Sequence, residues 1–188
     1  MPLIILDRDG VINKDSDDFI KSPQEFIPLP GSLEAVARLN AAGYSVAVAT
    51  NQSGIARGLF DLQTLDAMHR KLEKLLAAVD GHLDGVFYCP HAPDAGCDCR
   101  KPKPGLLQQI GRKFETELTG VPVIGDSLRD LQSALAVGAA PVLVRTGKGE
   151  RSLTQLAKEP DLANVPVFDD LAGAVDALLT GKLTGKNK

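Results

Sequence analysis

The chain has 188 residues, 24 acidic and 21 basic side chains, a net charge of −3, six Phe, two Tyr and no Trp. One domain of that size buries roughly 70% of its unfolded surface and folds without staples. With slight net acidity, few aromatics and no basic run, it offers no footing for nucleic acid or a membrane surface, which leaves a small molecule as the expected partner.

Short apolar runs rich in β-branched residues predict strands at 3–6, 44–49, 84–88, 121–124 and 141–144. Between them, helical patterns cover 32–42, stopped by Gly43, and 61–79, opened by Asp61. Two more cover 105–118, after Pro104, and 128–137, stopped by Gly138. Two stretches, 13–30 and 89–104, carry several prolines and no periodicity, and loops that long in a compact domain are commonly functional. The tail, 146–188, holds a weak strand "VPVF", a final helix at 169–180 and an end, "TGKNK", expected to fray. The alternation predicts one α/β domain over 1–188: a doubly wound parallel sheet with helices on both faces and no large cap insertion.

The start, "MPLIILDRDG", lacks the basic and apolar stretches of a signal peptide, and no later run approaches ~18 apolar residues. The expectation is a cytoplasmic monomer. Three cysteines are an odd number, and a reducing compartment disfavours a disulfide framework.

In an open parallel sheet, ligands bind outside the carboxyl ends of the strands. Asp7 and Asp9 follow the first predicted strand in "LDRDGVIN", and Thr50, Asn51 and Ser53 follow the second in "TNQSG". Cys89 and His91 follow the third, and Asp126 follows the fourth in "GDSLRD". A single Asp at a strand end is ordinarily a turn former or cap. Several brought into one crevice repel unless neutralised, and a hard cation such as Mg²⁺ is the usual oxygen-bound remedy. Beside it, a carboxylate can attack a phosphoryl group while a hydroxyl, Thr50, and an ammonium, Lys101, stabilise the transferring oxygens.

In order, "LDRDGVIN", "TNQSG", "RKPKPG" and "GDSLRD" resemble the four motifs of haloacid-dehalogenase-superfamily phosphatases, over residues 3–130. The resemblance implies Asp7 as nucleophile, and Asp9 as the acid that protonates the leaving alcohol and then the base that activates water. It implies Mg²⁺ on the Asp7 carboxylate, the Asp9 carbonyl and Asp126, with Thr50 and Lys101 on the phosphoryl oxygens. Asp130 would be a partner of Lys101 or of a metal-bound water.

All three cysteines fall within residues 89–99, where Cys89, His91, Cys97 and Cys99 form C-x-H-x5-C-x-C. That is a soft, four-ligand set suited to tetrahedral Zn²⁺ in a closed structural site. No C-x-x-C is present for redox chemistry. Arg100 and Lys101 follow directly, so zinc is expected to fix where two cations enter the crevice, and its loss to harm catalysis more than stability.

A zinc loop here, with "DRDGVIN" and "NQSGIARG", is similar to the heptose-bisphosphate and histidinol-phosphate phosphatase subfamily, and "NQSGIARGLF" favours the heptose branch. That resemblance implies a phosphorylated sugar as substrate, with contacts from Asp15, Ser16, Asp17, Asp18, Asn51, Gln52, Ser53, Arg100 and Ser127. Asp17-Asp18 stands where the family often has Gly-Tyr, and Ser127 where it often has Lys. A non-catalytic zinc module is the rival from another class, but two adjacent negative charges facing an anion gain it nothing. A nucleic-acid 3′-phosphatase shares these motifs but would carry a basic face, which is missing here. Elsewhere, His69 and His82 read as solvent-facing or capping, and Lys71, Glu73 and Lys74 as a solvated helix face. Arg57 reads either as a turn residue or as a contact to a distal phosphate. "TGKGE" at 146–150 is not a P-loop.

Overall fold

The structure, a computed structural model, describes residues 1–183, so the "TGKNK" end lies outside the described residues. Six strands form one parallel sheet: β1 (Leu3–Leu6), β2 (Ser45–Asn51), β3 (Gly85–Cys89), β4 (Pro122–Gly125), β5 (Ala140–Val144) and β6 (Val167–Phe168). Their order is β3-β2-β1-β4-β5-β6. The chain winds outward from β1 through β2 to β3, then returns to place β4 on the other side of β1. That reversal leaves a crevice beyond the carboxyl end of β1.

Residues alternate along β1 because a strand points successive side chains to opposite faces. Ile4 and Leu6 join Val46, Val48, Ile124 and Val142 under α1 (Ser32–Ala41), α2 (Leu62–Ala77) and α6 (Leu171–Leu179). Leu3 and Ile5 join Ala47, Ala49 and Val123 on the opposite face. There they meet α3 (Gly105–Lys113) and α4 (Leu128–Leu135). Both faces are covered, so these strands read as unbroken apolar runs rather than alternating ones.

Helix starts follow the expected chemistry. The Asp61 carboxylate accepts the Thr64 N–H at 2.8 Å, and Asp170 accepts that of Gly173 at 2.8 Å. The helix expected over 105–118 ends five residues early: Glu115 turns left-handed at φ 48°, and the Thr116 N–H returns to the Gly111 carbonyl. Two helical segments were not expected, α5 (Gly149–Leu156) and a 3-10 turn at Pro160–Leu162. At three residues the second is too short for periodicity to announce it.

The proline-rich stretch 13–30 is tied down at several points. Lys14 and Leu29 donate backbone N–H groups to Ile27 and Ile12, the Ser32 hydroxyl donates to the Ile12 carbonyl, and Phe26 is fully buried. Lys71 corrects one reading. Its ammonium leaves the solvated face of α2 and donates to the carbonyls of Pro23 and Phe26 at 2.6 and 2.8 Å, while Glu73 and Lys74 remain exposed. Lys71→Met should cost about 1–3 kcal/mol, the penalty for stranding hydrogen-bonding groups, read as a lower urea midpoint with an unchanged m value.

Candidate active site

Four strand ends and two loops close on a crevice of about 280 Å³. Asp7 leaves β1 with its N–H on the Ile124 carbonyl of β4 (2.9 Å), which holds it beside Asp126, just past the end of that neighbouring strand. Asp7, Asp126 and Asp130 each present a carboxylate oxygen within 4.8 Å of the others. Gly10 and Gly147 permit this packing. Both have positive φ, 86° and 58°, and a Cβ on either would lie 2.0 or 2.2 Å from the Asp126 carboxylate.

Lys101 meets the cluster from the other side. Its ammonium, 4% exposed as a residue, donates to the Ala49 carbonyl at 2.7 Å and lies 2.5 Å from Asp130 and 3.0 Å from Asp7. Burial alone would lower its pKa, but Asp130 and Asp7 reverse that and hold the charge on firmly. Asn51 fixes the backbone of Lys101 on both sides: its amide donates to the Lys101 carbonyl at 3.1 Å and accepts the Lys101 N–H at 3.0 Å. Lys101 is therefore placed by the end of β2, a fixture the zinc argument did not include.

The two aspartates of "DRD" have opposite environments. Burial and repulsion from Asp130 push Asp7 up to about 7, in spite of Lys101. Burial also acts upward on Asp9, but Arg8, Asn13 and Gln52 overcome it and lower its pKa. The Arg8 Nε and the Asn13 amide donate to one Asp9 oxygen at 3.0 and 2.8 Å. A second Arg8 nitrogen and the Gln52 amide donate to the other, at 3.2 and 2.9 Å.

The residues expected to touch substrate divide. Asp15, Ser16, Asp17, Gln52, Ser53 and Thr50 line the crevice, but Asp18 does not. Asn51 also lines it, though its amide is taken by Lys101. Ser127 caps α4, and its N–H and hydroxyl donate to one Asp130 oxygen at 3.0 and 2.7 Å. With Lys101 on the other oxygen, Asp130 is fully engaged. At one end stand Arg57, Arg100 and Arg129, and the Arg100 Nη1 is buried without a hydrogen-bond partner among the described residues.

Sequence reading missed three contributors. Lys148, in the segment dismissed as a P-loop, donates its N–H to Asp126 at 2.8 Å, and its ammonium lies 3.1 Å from Asp15. Arg8 is entirely buried, and His69 is half-buried with Nε2 3.1 Å from an Arg8 nitrogen, so His69 is neither solvent-facing nor a cap. His82 does face solvent.

At the far end of β3, Cys89, His91, Cys97 and Cys99 bring one ligand atom each within 4.8 Å of the others. Three of their separations are 3.2, 3.4 and 3.7 Å, and no pair forms a disulfide. An ion with metal–sulfur distances of about 2.3 Å holds tetrahedral sulfurs about 3.8 Å apart, so the set suits a tetrahedral metal. Burial pushes the Cys89 thiol up to about 12. Cys97, against desolvation, is brought down to about 7 by the Arg100 N–H and its thiol neighbours.

A doubly wound sheet with two aspartates after its central strand, and a hydroxyl, a lysine and a third aspartate converging on them, defines a hydrolase that works on phosphoryl groups. The chain belongs to the HAD-like hydrolase family and is a phosphoric monoester hydrolase. The HAD-hydrolase-like family model matches residues 98–174, and the polynucleotide kinase 3 phosphatase model matches residues 3–128. A D-glycero-beta-D-manno-heptose-1,7-bisphosphate 7-phosphatase of Pseudomonas aeruginosa is 57% identical over 94% of this chain and 97% of its own. The enzyme of that name from Escherichia coli is 38% identical over 79% of this chain and 81% of its own. Among solved structures, the D,D-heptose 1,7-bisphosphate phosphatase of Bordetella bronchiseptica, complexed with magnesium and phosphate, superposes with a TM-score of 0.92. It is 54% identical over 96% of this chain and 99% of that one. Among the described residues, no helix is long and apolar enough to cross a membrane.

The raised carboxylates give a pH test. Burial and the neighbouring carboxylates lift Asp126 to about 8 and Asp7 to about 7. Between these values and the ~4 of unfolded carboxylates, the folded chain binds more protons than the unfolded one. Stability without a divalent cation should therefore fall as pH rises through that window, whereas Asp9, with its lowered pKa, contributes stability that is lost only in more acidic solution. The melting temperature of cation-free protein should drop from pH 5.5 to 8.5, and excess Mg²⁺ should shrink the drop. A rise across that range would overturn the account.

Proposed function

We propose that the chain is a single-domain, monomeric, cytoplasmic phosphatase that removes the 7-phosphate of D-glycero-D-manno-heptose 1,7-bisphosphate. The observation that carries the chemistry is the contact of Lys101 with Asp7 beside Asp126, a buried cation next to two carboxylates that repel each other. The Asp7 carboxylate attacks phosphorus, and the bond to the sugar oxygen breaks as Asp9 delivers a proton to that oxygen. Asp9 then takes a proton from water, whose oxygen attacks the aspartyl-phosphate and releases inorganic phosphate. The four donors around Asp9 keep it ionised, the form from which the base step starts. The acid step needs the proton restored, and an incoming phosphoryl dianion favours that by repelling the Asp9 charge.

Lys101 and Thr50 hold the phosphoryl oxygens, while Asp130 and Ser127 hold Lys101. The Asp7 carboxylate, the Asp9 carbonyl and Asp126 would hold Mg²⁺, whose charge neutralises both the acidic cluster and the transferring group. Burial and mutual repulsion raise the pKa values of Asp7 and Asp126, and a divalent cation held between them would lower both.

Arg57, Arg100 and Arg129, which among the described residues have no carboxylate hydrogen-bond partner and leave one Arg100 nitrogen buried and unpaired, suit a second phosphate. They do not suit the ammonium of histidinol phosphate. Asp15, Ser16 and Asp17 face the sugar hydroxyls. Purified enzyme with Mg²⁺ should release phosphate from the heptose bisphosphate at least tenfold faster, in kcat/KM, than from histidinol phosphate; the reverse order would overturn the substrate. Asp7→Asn should abolish turnover in a folded protein, and Asp9→Asn should slow it by about 10²–10⁴-fold.

Zinc on Cys89, His91, Cys97 and Cys99 is the proposed structural ion. Because Asn51 holds Lys101 independently, losing zinc should loosen Arg100, whose N–H faces the Cys97 thiol, more than Lys101. Elemental analysis should find close to one zinc per chain. Cys97→Ser should raise KM for the bisphosphate several-fold with a smaller change in kcat and melting temperature, and zinc-free wild-type protein would refute the site.

A further inference from the structure

Arg8 is the largest fully buried polar side chain among the described residues, and the mechanism above gives it no step. Its Nε and one terminal nitrogen grip the two oxygens of Asp9 at 3.0 and 3.2 Å, and its Cζ lies over the Phe26 ring, 5.5 Å from the centroid. The other terminal nitrogen points to the Nε2 of His69 at 3.1 Å. An arginine nitrogen only donates, so Nε2 must carry the lone pair and His69 must be the neutral tautomer with its proton on Nδ1. Burial, helped by the Arg8 charge, pushes His69 down to about 4, so it stays in that form.

His69 is set on α2, beside the buried Met68 and against the Tyr88 ring, with centroids 6.3 Å apart. It therefore joins a helix of the core to the guanidinium that holds Asp9. We propose that His69 is a positioning residue for proton transfer: its Nε2 fixes the plane of Arg8, and Arg8 thereby aims the Asp9 carboxylate at the leaving oxygen. This rests on the reading of Asp9 as the acid and base. Remove the acceptor, and the guanidinium must turn to satisfy a buried donor, dragging Asp9 with it. Asn13 and Gln52 also hold Asp9, so the effect is partial.

The test compares two leaving groups. A sugar alkoxide needs a proton as it departs, whereas 2,4-dinitrophenolate does not, and kcat/KM reports the half-reaction in which it leaves. His69→Leu, of similar bulk and without an acceptor, should lower kcat/KM about tenfold on the sugar phosphate and less than about twofold on 2,4-dinitrophenyl phosphate. His69→Gln, which can place an oxygen near the Nε2 position, should restore most of the rate. Equal losses on both substrates, no loss on the sugar phosphate, or no rescue by Gln would overturn the proposal. If the Leu variant fails to fold, His69→Asn takes its place; its oxygen falls short of the Nε2 position, so it should show the same selective loss. Asp9→Asn separates the two claims. If it shows no leaving-group selectivity, the acid reading fails. If it does and the His69 variants do not, only the positioning role fails.

Discussion

Three carboxylates buried side by side cannot all be charged without positive charge among them, and the architecture of this protein is arranged around that constraint. Asp7 and Asp126 are carried to one place because β1 and β4 are neighbours, although nearly 120 residues separate them in the chain. Lys101 supplies one fixed positive charge, and Asp130 is the counter-ion that keeps it oriented. What remains uncompensated is the pressure for a cation and an anionic substrate to enter together, which gives a phosphatase both affinity and chemistry from one electrostatic fact.

The same constraint explains why small residues and backbone groups matter as much as the charged ones. Asp126 can approach Asp7 only because Gly10 and Gly147 leave no Cβ in its way, and it is steadied by the Lys148 N–H. Asn51 has its side chain spent on the Lys101 backbone, and Ser127 has its hydroxyl spent on Asp130. Residue types that could bind a sugar have thus become the fixtures of Lys101. Arg57, Arg100, Arg129, Asp15, Ser16 and Asp17 make up other parts of the crevice lining.

Asp7 and Asp9 show how position rather than residue type sets reactivity. Two residues apart on one turn, one faces carboxylates and an ammonium while the other faces a guanidinium and two amides. Their proton affinities move in opposite directions, which puts two chemically distinct carboxylates within a three-residue segment.

The six strands, the helices α1 to α4 and α6, the converging strand ends and the metal-ligand spacing of the cysteines were legible in the sequence. Each is a local signal: an apolar run, a cap, a glycine stop or a cluster within eleven residues. The two short helical segments after β5 were not, and the long proline-rich loops gave no sign of how they are anchored. Lys71 looked like part of a solvated face because its period on α2 is polar, and only the fold brings the carbonyls of Pro23 and Phe26 to it. Arg8 and His69 were silent for the same reason, since their meeting spans 61 residues and leaves no pattern in either neighbourhood. Local sequence determined which groups this protein possesses; tertiary structure decided which are free to react and which are spent holding others, because hydrogen-bond partners are assigned by proximity in space.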